Sequence, residues 1–184
     1  MANPFEALRV DPASVRKIIT WYQTQIKNLK NLQSKVSREL RMGDNYIMPG
    51  RLYLFRYDPK HKETLPYYDT MPLVLPYKKV AGGFYGINLH YLPYGLRFKL
   101  MGGVLSLVTD ISDPDSRAAV SWKILNNASR FPGVDACVKH YLSGQVQSNF
   151  LNIPNDQWLA AAMMPLEQFT GASKTAVFNK SRRM

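Results

Sequence analysis

Residues 48–94, MPGRLYLFRYDPKHKETLPYYDTMPLVLPYKKVAGGFYGINLHYLPY, limit what this chain can fold into more than any other stretch. They hold most of its 11 tyrosines and half of its 12 prolines. Leu52 and Leu54 interleave with Tyr53, Phe55 and Tyr57, so one short extended segment is apolar on both faces. That pattern predicts a strand packed on both sides or closed into a small barrel. Asp58-Pro59-Lys60-His61-Lys62 breaks it with turn chemistry. Pro72 and Pro76 bracket Leu73-Val74-Leu75, and proline cannot donate to a ladder, so a short strand there is expected only at an edge or a bend. After Gly82-Gly83 a third strand is predicted over residues 84–92, with Tyr85, Ile87, Leu89 and Tyr91 on one face. The stretch reads as a small, bent antiparallel sheet or a barrel-like centre.

Upstream, Asp11-Pro12-Ala13-Ser14 is a helix start, a carboxylate cap with proline in the first turn. The spacing of Val15, Ile18, Ile19, Tyr22, Ile26, Leu29, Val36 and Leu40 predicts one amphipathic helix to about Met42, ended by Gly43-Asp44-Asn45. Its other faces are basic. Arg16, Lys17, Lys27, Lys30, Lys35, Arg38 and Arg41 meet only Glu39 after Asp11, so the helix forgoes most of the Glu–Lys support of a merely solvated helix. Either the cations only solvate a packed helix, or they also contact a polyanion. Asn and Gln dilute the apolar stripe too much for a membrane-surface helix.

Downstream, Leu96, Phe98, Leu100, Met101, Val104, Leu105, Leu107 and Val108 predict a buried helix, weakened at Gly102-Gly103. Residues 110–115 should be a loop before a helix over 117–129. Ala136, Val138, Tyr141 and Leu142 predict helix over 134–146, and Asn155-Asp156 caps a last helix over 157–169 that Pro165 kinks or shortens. The class is therefore α+β: an N-terminal arm and basic helix (1–44), one globular α+β domain with a helical C-terminal half (45–169) and a basic tail (170–184). Phe5, Leu8 and Val10 at one end and Val177 and Phe178 at the other offer little apolar area against an ordering entropy of ~1–2 kcal/mol per residue. Both ends are expected to order on a neighbour, with Lys174, Lys180, Arg182 and Arg183 as the partner-binding cations.

Charge narrows the partners. Twenty-four Lys and Arg against 13 Asp and Glu give +11, which points to nucleic acid, an anionic membrane or an acidic protein face. The N-terminal half carries most of it, and Lys78-Lys79 adds to the candidate nucleic-acid contacts. Cys137 stands alone, implying no internal disulfide and a reducing compartment. No apolar run is long enough to span a bilayer and the N-terminus lacks a signal peptide's layout, so no membrane association is expected.

Catalytic patterns are weak. One Cys and three scattered His do not suggest a zinc site; Cys137 and His140, one helical turn apart, read as an inert pair. Gly82-Gly83-Phe84-Tyr85-Gly86 lacks the spacing of a phosphate or dinucleotide loop. Asp44 with Asp58-x-Lys60 echoes a metal-dependent nuclease, but Asp58 sits in turn context. His61 and His90 with Asp69 have no nucleophile beside them. Tyr53, Phe55, Tyr57, Tyr67, Tyr68, Tyr77, Tyr85 and Tyr91 alternate with Arg51, Arg56, Lys60, Lys62, Lys78 and Lys79, as core tyrosines would, or as base-stacking residues of a single-strand binder would. No catalytic residue, cofactor, metal or small-molecule substrate is expected.

Three longer motifs carry a resemblance. Pro49-Gly50-x-x-Tyr53-x-Phe55-x-Tyr57-Asp58-Pro59-Lys60, then Thr64-Leu65-Pro66-Tyr67-Tyr68-Asp69-x-x-Pro72-Leu73, then Gly83-Phe84-Tyr85-Gly86-Ile87-Asn88 with His90-Tyr91-Leu92-Pro93, are similar to a small virion protein of large contractile-tailed bacteriophages and cyanophages. Ser129-Arg130-Phe131, Lys139-His140-Tyr141-Leu142 and Ala172-Ser173-Lys174 continue the likeness. Proteins of that family are commonly labelled DNA end protectors. The resemblance implies a non-enzymatic virion protein at the head–tail junction or in the tail, made in the host cytoplasm, contacting other virion proteins, double-stranded DNA at the genome end, or both. A DNA-processing nuclease accessory and a purely architectural neck or baseplate protein are the alternatives.

Overall fold

The computed structural model describes residues 12–27, 31–108, 114–128 and 134–182. Among them the chain runs α1 (Pro12–Lys27), α2 (Leu32–Met42), β1 (Leu52–Leu54), β2 (Tyr68–Asp69), β3 (Leu73–Val80), β4 (Gly83–Asn88), α3 (Tyr94–Val108), α4 (Pro114–Ala128), β5 (Val138–Leu142), β6 (Leu151–Ile153), α5 (Trp158–Met163), β7 (Phe169–Thr170) and α6 (Lys174–Arg182). The α+β class holds. Five strands make one antiparallel sheet in the order β5-β4-β3-β1-β6, and β2 pairs with β7. The main sheet is open, with β5 and β6 at its edges, and does not close into a barrel.

Both faces of β1 are buried, as its two apolar rows require. Leu52 and Leu54 join Leu73, Leu75, Ile87, Met101, Val104, Leu125 and Trp158 in the core on the helical side. Tyr53, Phe55 and Tyr57 join Phe84, Tyr141 and Phe150 on the other. That second cluster is almost wholly aromatic. Phe55 lies edge-on to Phe150 at 5.1 Å and to Tyr141 at 5.3 Å between ring centroids, the geometry that ring quadrupoles favour.

The structure corrects several boundaries. The predicted single helix over 11–42 is two: α2 starts after Asn31, whose φ of 62° is left-handed, a conformation asparagine adopts more readily than most residues. A strand over residues 73–75 is expected only at an edge or a bend; β3 lies in the sheet interior, and it is irregular at Pro76. Its register shifts between Pro76 and Lys78, and the bulge absorbs the proline, whose carbonyl accepts from Gly50 N at 2.9 Å. The third strand stops at Asn88, because the Asn88 side chain accepts from His90 N at 3.0 Å and starts a 3-10 turn over Leu89–Tyr91. Gly102-Gly103 does not interrupt α3. Residues 110–113 lie outside the described residues.

Residues 134–146 are not helical. Asp135–Cys137 is a 3-10 turn, Val138–Leu142 is β5 and Ser143–Gln145 is a second 3-10 turn. The strand forms because Gly83 brings no side chain: a Cβ there would collide with the Tyr141 carbonyl, across a register running from Gly83↔Leu142 to Ile87↔Val138. The last helix is also shorter than expected. α5 ends at Met163, its final turn closed by Met164 N on the Ala160 and Ala161 carbonyls, and Pro165 follows.

The basic C-terminal segment carries a helix that packs on the chain itself. Val177 is 1% exposed within the main core, and Ser181 Oγ donates to the Tyr91 carbonyl. This departs from the expectation that residues 170–184 order only on a neighbour. The expectation for residues 1–10 falls outside the described residues.

Candidate nucleic-acid interface

Polar residues 143–149 run across the aromatic side of the sheet, tied down at three points. Gln147 N donates to the Arg56 carbonyl at 2.8 Å, Arg56 N donates to Ser148 Oγ at 2.9 Å, and Asn149 Nδ2 donates to the Arg41 carbonyl at 3.0 Å. The bridge between Asp44 and Phe150 fixes the far end. Gly43 is needed at that crossing, since a Cβ would collide with the Phe150 carbonyl. These bonds leave two recesses that share Ser148 and Asn149.

The first recess, about 490 Å³, lies between Asn45-Tyr46-Ile47 and the β3–β4 hairpin, with Lys79 and Gly82 on its wall. Gly82 makes that hairpin turn at a φ of 74°. The second, about 400 Å³, lies between α2 and residues 147–149 and is lined by Ser37, Arg41 and Arg56. Together they form a groove walled by Arg41, Arg56 and Lys79, with Tyr46, 56% exposed, at its margin. Among the described residues no carboxylate lines either recess. The Arg56 guanidinium uses one donor on Ser37 Oγ at 3.0 Å; a guanidinium has five, arranged to fit phosphate. Backbone-positioning contacts need this kind of surface: cations and small polar donors along an open channel.

The candidate cations fall into groups. Arg41 lines the second recess and Lys79 the first. Lys35 and Arg38 are exposed on α2, Arg38 3.7 Å from Glu39, and Lys78 is exposed beside Lys79 on β3. Arg16 and Lys17 are exposed on α1, which packs on α3 and α5 and does not line the groove. Lys27 ends α1, and Lys30 lies outside the described residues. Arg56, Tyr46 and the 147–149 amides and hydroxyl complete the groove without having been singled out as contacts. Arg56 left only its place in the alternation of aromatics and cations, and residues 147–149 fall after the helix predicted over 134–146 with no signal of their own.

Of the C-terminal cations, Lys174 is engaged within the chain: its Nζ donates to Tyr94 Oη at 3.0 Å and to Glu167 Oε2 at 3.3 Å. Lys180 is exposed on α6, 5.4 Å above the Tyr67 ring. Arg182 closes α6, and Arg183 lies outside the described residues.

The weaker catalytic patterns resolve into structure. Lys62 Nζ holds both Asp58 oxygens, at 2.9 and 3.0 Å, one helical turn apart in a loop. The Asp44 backbone is bridged to Phe150, and no three His, Cys, Asp or Glu side chains converge among the described residues. His140 stacks on Tyr85 at 4.7 Å while Cys137 is buried, so the extended backbone separates the two. His90 does meet Asp69, Nδ1 to Oδ2 at 2.8 Å, but the pair is 0% and 1% exposed. Burial pushes the Asp69 carboxyl up; the His90 charge and hydrogen bond, Met71 N and Asn88 more than offset it and hold it below the usual carboxylate range. The pair is a strut.

The aromatics are divided. Tyr53, Phe55, Tyr57, Tyr77 and Tyr91 are buried, whereas Tyr67, Tyr68 and Tyr85 are half-exposed. No helix of the described residues is long and apolar enough to cross a membrane.

A groove whose described lining holds cations and no carboxylate, on an α+β scaffold, is the kind of surface that polyanion-binding proteins present. Over residues 7–183 the chain matches the family described as Phage T4 terminal DNA protecting protein. It belongs to that family. No curated protein and no solved structure matches it. The family sets DNA as a partner and makes this a phage protein that acts at DNA ends.

Proposed function

We propose that this chain is a non-enzymatic virion protein that covers the end of the phage genome, holding duplex phosphates along the Arg41–Arg56–Lys79 groove. The observation that supports this most is the groove's lining, which among the described residues holds three cations and no carboxylate in two recesses that share Ser148 and Asn149. Lys35, Arg38 and Lys78 extend the positive surface on either side. Arg16, Lys17 and Lys27 on α1, with Lys30 after it in the sequence, add long-range attraction to the same polyanion. Lys180, Arg182 and Arg183 are the residues for neighbouring subunits at the head–tail junction or in the tail.

Duplex binding measured against salt tests the reading. Each neutralised phosphate contributes a slope of roughly −0.9 in log K against log salt. Arg41→Glu, Arg56→Glu and Lys79→Glu together should lower the slope by roughly 3 and weaken binding several hundredfold or more. A triple variant with the wild-type slope and affinity moves the contact off the groove.

A further inference from the structure

A third cleft, about 260 Å³, opens between β5 and the loop over residues 59–68, adjoining the groove along the chain: Tyr141 and Leu142 line it, and Ser143 begins the groove wall. Its walls are tyrosines. Tyr57, Tyr67, Tyr68, Tyr91 and Tyr141 all line it, and Tyr67 lies 5.9 Å from Tyr91 at a shallow 35° tilt. Lys139 lines it too, half-buried, with its Nζ 4.2 Å over the Tyr91 ring. Burial, with the nearby Lys180 charge, holds the Lys139 ammonium below its ordinary range. The one carboxylate on the wall, Asp69, is spent elsewhere: its oxygens accept from Met71 N, Gln168 N, Asn88 Nδ2 and His90 Nδ1. Lys60, His61 and His140 stand around the cleft.

The half-exposed rings of Tyr67 and Tyr68 can take a planar aromatic ring, and a partly desolvated ammonium with no ion pair among the described residues takes a phosphate. The volume lies near the lower limit of small-ligand pockets, roughly 300 Å³, so it admits one nucleotide and not the end of a duplex. We propose that the Tyr67–Tyr91–Lys139 cleft binds a single unpaired nucleotide, base against the tyrosines and phosphate on Lys139. The nucleotide is either the frayed or overhanging terminus of a DNA strand or a free nucleoside monophosphate. Only the terminal source rests on the groove reading above, and it explains how a groove that grips any duplex would favour an end.

Two measurements separate the cases. In the first, deoxyadenosine 5′-monophosphate is titrated into the isotope-labelled protein; resonances of Tyr67, Lys139 and His140 should shift in wild type and stay put in Lys139→Met and in Tyr67→Ala. In the second, affinity is compared between a 5′-phosphorylated duplex with single-nucleotide overhangs and the same duplex closed by hairpins at both ends. Wild type should prefer the open ends. Each variant should lose that preference by roughly tenfold while binding the closed duplex as wild type does. Nucleotide shifts with an unaltered end preference assign the cleft to the free nucleotide. Failure of wild type to bind either duplex would sink the groove reading, leaving the nucleotide titration to judge the cleft. Absence of any nucleotide-induced shift at the cleft, with end preference intact in both variants, overturns the proposal.

Discussion

At the residue scale the molecule is held by charges placed where a sequence reading puts carbon. Arg97, 0% exposed, donates to the carbonyls of Leu92 at 2.7 Å, His90 at 3.0 Å and Ala162 at 3.1 Å. It also forms an ion pair with Glu167 at 2.6 Å. One guanidinium thus ties α3 to the 3-10 turn before it, to α5 and to the segment leading into β7. Asp69 and His90 do the same between β2 and the end of β4. Arg97 reads in the sequence as one more residue of a buried helix, and Glu167 carries no motif; partners separated by 70 residues in the chain leave no periodic trace. Removing one member of such a pair strands the other, at a cost of roughly 3 kcal/mol. Asp69→Asn should therefore destabilise by about that amount. The sign with pH follows from the direction of the shift: Asp69 is held below its reference of 3.8 in the folded state, so its contribution is present above pH 3.8 and is lost as pH falls through the lower folded value. Glu167 is lowered too: burial would raise it, but Arg97, His90 and Lys174 outweigh that, so its contribution is lost in the same direction. Urea melts of wild type should lose stability steeply below pH 4, and those of Asp69→Asn less so; parallel curves would show that the carboxyl is not charged in the fold. Cys137 gives a second check. Burial pushes its thiol up to about 12, so a thiol reagent at pH 8 should label it only after denaturation.

Among the elements, β1 was legible and β5 was not, for a physical reason. Leu52–Leu54 has apolar residues on both faces and admits no helical stripe, while Ala136, Val138, Tyr141 and Leu142 fit a helix as well as a strand. What decides in favour of the strand is distant: glycine at position 83 lets β5 approach β4. Short apolar runs are ambiguous to periodicity for this reason. The end of the chain shows the same limit. Val177 and Phe178 looked too little to order a tail, but Tyr94 stands 5.9 Å from Phe178 and the Arg97 guanidinium lies 5.3 Å over it, so the core supplies the missing surface. Val177→Ala removes two buried methyls and should cost roughly 1.5–3 kcal/mol. Hydrogen exchange on the monomeric wild type should show protected amides in Lys174–Arg182. Exchange there at unprotected rates would restore the view that a partner orders this segment.

For the whole molecule, the groove emerges only on folding. Arg41 at the end of α2, Arg56 beyond β1 and Lys79 near the β3–β4 turn are far apart in sequence and come together because residues 143–149 cross between them. The charge excess announced a polyanion, and the motifs of residues 49–93 announced the family, but neither could select three cations from 24. The central claim is that this surface shields a DNA end without cutting it. Digestion of a linear duplex by a processive exonuclease, with and without saturating protein, tests it most directly. Full-length duplex should survive with wild type and be degraded with the Arg41→Glu, Arg56→Glu, Lys79→Glu variant, and incubation with the protein and Mg²⁺ alone should leave the duplex intact. Degradation at the same rate with and without wild-type protein, or shortening by the protein alone, would contradict the account.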